Sequence, residues 1–251
     1  MVGAAMTLIG IWLSGPDRAF AWSDSECYDA NRGFVPSGHV QKIAVNHHAC
    51  AAVVVMGCTL MLDIAARAMA ATVVFDLFIV DLQRLARRDW YPSDGCPRAG
   101  ALAIGYSNVL RRMVGFSFDS REAFNPKPVI TAQAFPYVSE LEALHPTDGA
   151  DILSFAQGQM REIQKLYPGA GAGSVTVACA TRSTISVESF DLETGRRSSG
   201  LPSLPAMGAT PSDISGPDPL SPLGIRCAAP PELHAGGREE RRGGGRRRRA
   251  S

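Results

Sequence analysis

Apolar positions recur along this chain at distinct spacings, and each spacing predicts a different element. Between Ala150 and Tyr167, Ile152, Phe155, Met160, Ile163 and Leu166 fall at near-helical intervals. Thr147 or Asp148 can cap that helix, and Pro168-Gly169 ends it. Ser174–Ala180 and Thr184–Phe190, rich in Val, Thr and Ile, predict two β segments. The alanine-rich stretch 49–88 reads largely as helix. Leu77, Val80, Leu82 and Leu85 carry its apolar face, and Arg84, Arg87 and Arg88 suit its C-terminal turn. Val40–Val45, Ala101–Gly105 and Val129–Phe135 predict short strands, Asn108–Val114 a brief helix, and Trp22–Gly38 a loop. This alternation predicts an α/β or α+β fold: one small domain of mixed helices and short strands over residues 40–195.

Two uninterrupted apolar runs change the picture. Val2–Leu13 is uncharged and of signal-peptide length, and Ala19-Phe20-Ala21 supplies an A-x-A site before Trp22. Residues 1–21 are therefore expected to be a signal peptide or an N-terminal apolar helix. The second run, Ile43–Leu62, holds no Asp, Glu, Lys or Arg. Its clean part, Ala49–Leu62, would rise only about 21 Å as a helix, short of a bilayer core of roughly 30 Å. A buried core element is the first expectation there; membrane association through residues 43–80 is the other.

Charge is small overall and uneven. The 251 residues sum to +1 at pH 7, and 20% are charged. Residues 238–251 hold seven arginines against two glutamates, a local excess of +5, so the rest sums to −4. From residue 200 onward the chain is dense in Pro, Gly and Ser without an apolar period, which predicts a disordered 200–251 tail. Arg241, Arg242, Arg246, Arg247, Arg248 and Arg249 are the expected contacts to nucleic acid or another polyanion. A secreted or membrane-associated location follows from the start of the chain, a nuclear one from its end. Six cysteines contain no C-x-x-C pair, so a zinc ribbon is not expected, and no other metal or cofactor motif is present.

Candidate chemistry is sparse. Gly105-Tyr106-Ser107-Asn108-Val109 resembles the nucleophile elbow of α/β-hydrolases, with Val109 where the last Gly belongs. That resemblance implies Ser107 as nucleophile, with Asp119 and His145 following in the required order. Asn46-His47-His48-Ala49-Cys50, after an apolar strand, resembles the catalytic segment of BAHD-type acyltransferases and implies a general-base His47. Ala51 and Ala52 replace that family's Asp and Gly, and its D-F-G-W-G signature is absent. The carboxylates do not cluster, and Gly169–Ser174 follows a helix, the reverse of a phosphate cradle. The sequence thus yields no specific activity. Its first expectation is a non-enzymatic protein whose tail makes weak polyanion contacts, its second a serine ester hydrolase using Ser107, its third a membrane-associated protein.

Overall fold

The computed structural model describes residues 7–29, 35–93, 97–137, 145–166 and 173–198. The fold is mixed α+β, with three α-helices and two five-stranded antiparallel sheets among the described residues. The chain runs β1 (Ile9–Leu13), β2 (Arg18–Asp24), β3 (Glu26–Asp29), β4 (Val35–His39), β5 (Ile43–Asn46), β6 (Ala51–Met56), α1 (Thr59–Ala70), α2 (Phe75–Asp89), β7 (Gly100–Ser107), β8 (Arg112–Asp119), β9 (Lys127–Val129), β10 (Ala132–Phe135), α3 (Gly149–Leu166), β11 (Ser174–Thr181) and β12 (Ile185–Asp191). One sheet has the order β10-β1-β2-β11-β12, the other β5-β6-β7-β8-β9, and β3 and β4 form a separate hairpin.

Strand alternation explains the layering. On β1 and β2, Ile9, Ile11, Ala19 and Ala21 meet Ala52, Val54, Leu102 and Ile104 of the other sheet. Leu8, Trp12, Phe20 and Trp22 point the opposite way, onto Ile152, Phe155, Ala156 and Met160 of α3. Val53, Val55, Ala101 and Ala103 pack beneath Met61, Ile64, Phe75, Phe78 and Leu82 of α1 and α2. The result is four layers, helix, sheet, sheet, helix, with three apolar seams between them. Strands in the two middle layers are covered on both faces, so their sequences are nearly continuous apolar runs rather than clean alternations.

That double burial accounts for the departures from the sequence expectations. Ala51–Met56 is a strand, not the start of a helix, and residues 43–62 fold mainly as the β5–β6 hairpin. Among the described residues no helix is long and apolar enough to cross a membrane. From residue 7 on, the expected signal or apolar helix is the β1–β2 hairpin, turned at Gly15, whose φ is +78°. The expected loop after Trp22 carries the end of β2 and the β3–β4 hairpin. The strand expected over Val129–Phe135 is two strands, β9 and β10, one in each sheet. No helix follows Ser107; the chain makes a tight turn and returns as β8. The helix expected at Ala150–Tyr167 is α3, and Asp148 caps it by accepting from the Ala150 and Asp151 amides. Ser174–Thr181 and Ile185–Asp191 pair as expected for two β segments. The 200–251 tail lies outside the described residues.

Gly105 shows how closely the layers approach. A Cβ there would lie 2.3 Å from Phe75 Cδ2, a ring fully buried in the helix–sheet seam. Gly105→Ala should destabilise the protein by about 1–3 kcal/mol through overpacking. Combining it with Phe75→Leu should cost less than the sum of the two single changes. Urea unfolding of the four proteins measures both quantities.

Candidate functional site

The residues singled out in the sequence do not form one site. Ser107 ends β7 and is 1% exposed. Its hydroxyl donates to Asp76 Oδ1 at 2.6 Å and accepts from the Leu110 amide at 3.0 Å, so it fastens the hairpin turn to α2. Asp119 ends β8, opposite Gly100, whereas Ser107 pairs with Arg112. Seven residues of strand, about 24 Å, therefore separate the serine from the acid. Asp119 instead accepts from Arg98 and Arg121. Burial works to raise its carboxyl, but those hydrogen bonds prevail and hold it below the ordinary value. His145 is exposed and packs edge-on to Trp12, with ring centroids 6.2 Å apart. Among the described residues no hydrogen bond joins it to Ser107 or Asp119.

His47 and His48 lie exposed on the β5–β6 turn. That turn is shaped by Asn46, which accepts from the His48 and Ala49 amides and donates to the Met69 and Thr72 carbonyls. Burial pushes the Cys50 and Cys179 thiols up, which removes them as ready nucleophiles. Among the described residues no cluster of His, Cys, Asp and Glu could hold a metal. The tail arginines 241, 242 and 246–249 lie outside the described residues.

A different constellation stands at the start of β1. Lys42, just before β5, reaches across to Asp24 at the end of β2, with Nζ 2.8 Å from Oδ1. Both side chains are buried, at 9% and 1% exposure. Lys42 Nζ also donates to the Glu26 carbonyl. The same Asp24 oxygen accepts the Leu8 amide at 3.1 Å, while the Asp24 amide donates to the Leu8 carbonyl at 2.9 Å. The carboxylate thus stands where the backbone carbonyl of the ladder would be, which lets the chain leave β2 for β3. Thr7 precedes Leu8 and is 8% exposed. Standard backbone dimensions place its Cα within about 6 Å of the shared oxygen.

This neighbourhood is polar and incompletely satisfied. Among the described residues, the second Asp24 oxygen and the Ser23 hydroxyl are buried with no hydrogen-bond partner. Burial pushes the Asp24 carboxyl above its ordinary value, against the pull of Lys42 and the Leu8 amide. Ser25 Oγ accepts from the Ser174 amide at 3.1 Å and meets His39 Nδ1 at 3.2 Å, so β11 and β4 close the same end. The Lys42 carbonyl accepts from Val55 at 3.0 Å, which sets Met56 and Gly57 beside it. Gly57, at φ +108°, turns the chain into α1, whose N-cap Cys58 makes no side-chain cap. A cavity of about 190 Å³ lies between the sheets at this end, with Ile9, Met56, Leu102 and Phe135 on its apolar side and Arg98, Asp119, Glu122 and Lys127 on its charged side; Thr7, Asp24 and Lys42 do not line it.

Thr7, Asp24 and Lys42 were not legible as a set. A lone threonine before an apolar run, an aspartate ending another and a single lysine between loops have no diagnostic spacing. Neither a scan against protein-family models nor a search of curated protein sequences finds a match to the chain.

Breaking the ion pair from one side should expose its energetics. Lys42→Met leaves Asp24 charged and unpaired and should cost about 3–5 kcal/mol. Lys42→Met with Asp24→Asn should recover much of that loss, because Asn retains an acceptor for the Leu8 amide. Thermal and urea unfolding of the single and double variants test the coupling.

Proposed function

We propose that this protein is an amide hydrolase in which Thr7, made N-terminal by cleavage of the Met6–Thr7 bond, is the nucleophile. The observation that carries this reading is the buried Lys42–Asp24 pair, hydrogen-bonded to the Leu8 amide just before β1, with one carboxylate oxygen and a neighbouring hydroxyl lacking a partner among the described residues. A buried ion pair contributes little net stability against a well-packed apolar substitute, and unsatisfied buried groups concentrate where chemistry is done.

The chemistry follows from the groups present. A threonine hydroxyl is a weak nucleophile until a base takes its proton, and in N-terminal nucleophiles the base is the residue's own α-amine. An ordinary α-amino group titrates at about 8, so a useful fraction is neutral near pH 7.5. While Met6 is attached, that nitrogen is an amide and no base, which is why cleavage is required. The hydroxyl oxygen would attack the substrate carbonyl carbon as its proton passes to the amine. Collapse of the tetrahedral adduct would break the C–N bond, with that proton delivered to the leaving amine. Water would then hydrolyse the Thr7 ester, with the α-amine again as base. The Lys42 ammonium would stabilise negative charge developing at the Thr7 oxygen, and Asp24 fixes its position. The Thr59 and Leu60 amides, at the start of α1, would be the donors at the same end for a carbonyl oxyanion.

Protein produced with Thr7 as its first residue should hydrolyse fluorogenic peptide amides, and the Thr7→Ala variant should be inactive. Lys42→Met should lower kcat/KM by at least about 100-fold, the scale of losing one charge-stabilising group. Intact-mass analysis after treatment with a peptide β-lactone should show one acyl adduct, localised to Thr7. Absence of both hydrolysis and adduct on folded protein would overturn the reading.

A further inference from the structure

The opposite end of the sandwich carries an unrelated feature. We propose that it is a docking surface for an acidic, partly apolar peptide segment of a partner protein. Strand pairing brings three hairpin tips to this end: residues 14–17 between β1 and β2, 108–111 between β7 and β8, and 182–184 between β11 and β12. They are stitched together. Arg18 pairs with Thr181, the Met113 amide donates to the Pro16 carbonyl at 2.6 Å, and the Arg182 guanidinium lies 5.3 Å from the centre of the Tyr106 ring.

These tips concentrate exposed arginine: Arg18, Arg111, Arg112 and Arg182. Arg67, Arg84, Arg88, Arg98, Arg121 and Arg197 each form an ion pair. Among the described residues, Arg111, Arg112 and Arg182 form none, as do Arg87, Arg161 and Arg196 elsewhere, and Arg18 donates to the Thr147 carbonyl. Acids share this end as well: Asp76 is engaged by the Ser107 hydroxyl and the Asn108 amide, Asp148 and Glu188 lie with Arg18 around a shallow pocket, and Asp17 is exposed. Among the described residues, the positive charge without an acidic partner at this end is therefore that of Arg111, Arg112 and Arg182, on and beside the 108–111 and 182–184 tips. Arg111 also holds φ at +56°, the left-handed region that ordinarily selects Gly or Asn, so the tip keeps a guanidinium where a small residue would fit with less strain.

The partner's chemistry follows from what accompanies the charge. Val109 and Leu110 on the same tip are 77% and 54% exposed. Guanidinium groups flanking exposed aliphatic side chains complement a segment that alternates carboxylates with apolar residues. Single-stranded nucleic acid would gain from an aromatic platform, but Tyr106, the aromatic at this end, is already covered by Arg182.

Fluorescence anisotropy with the full chain tests this, using a labelled twelve-residue peptide of alternating Glu and Leu. A Gln-for-Glu peptide and a single-stranded RNA of equal length are the comparison probes. The acidic peptide should bind more tightly than the Gln peptide. Combining R111E, R112E and R182E should weaken it at least about tenfold, as charge reversal at a complementary surface does. The triple Arg→Gln set should give a smaller loss of the same sign, with circular dichroism unchanged in both. Val109→Ser with Leu110→Ser should weaken the acidic peptide while leaving RNA retention unaltered. Equal affinity of wild type and triple variant would show that these tips are not the binding surface and overturn the proposal. So would no measurable binding of the acidic peptide, or a larger loss for RNA than for peptide.

Discussion

Everything in this molecule depends on two sheets packing face to face while each also carries helices on its outer face. Small residues make that contact close: Ala19, Ala21, Ala52, Ala178 and Ala180 occupy the inter-sheet seam among Ile, Val and Leu. A strand squeezed between two layers has no solvent face and so cannot be built from alternating polar residues. The apolar runs at the start of the chain and at 43–56 are consequences of that constraint. Trp22 and Gln159 show its polar counterpart. The indole donates to the Gln159 amide oxygen at 2.8 Å, so a fully buried hydrogen bond ties the central strand to α3.

The same constraint locates the polar end. Where β2 stops, its ladder must be terminated without orphaning the Leu8 amide, and the Asp24 carboxylate takes over that acceptor role. A carboxylate buried there demands a cation, and Lys42 supplies it from the other sheet. The pair therefore links the two sheets as well as charging the site. Ser107 and Asp76 do comparable work at the opposite end, where a hydroxyl and a carboxylate fasten a hairpin turn to the helix layer.

The α+β class, α3 with its Asp148 cap, and the β11–β12 pair were legible because their periodicity is unambiguous. The first 60 residues were not, since a doubly buried strand and an apolar helix or leader share one composition. Ala51–Met56 and Ile9–Leu13 are such cases: each is buried on both faces, so the period-2 signal vanishes. The turn after Ser107 misled for another reason, because "NVLRRM" has helix-compatible composition while pairing with β7 determines its path. The site residues stayed hidden because their proximity is created by tertiary closure, with 18 positions separating Asp24 from Lys42 in sequence.

The pairing of β1 gives the threonine an unexpected guarantee. This strand is held on both sides, Ile9 facing Ser23 on β2 and Phe135 on β10. A slip by one position would exchange Leu8 for Thr7 beside Asp24, put Gly10 in place of Ile11, and turn Trp12 into the narrow gap between the sheets. Thr7 is thus placed as on a ruler whose graduations are the side chains that follow it. Selection for a well-filled interior would preserve the position of Thr7, the proposed nucleophile, without acting on that residue at all.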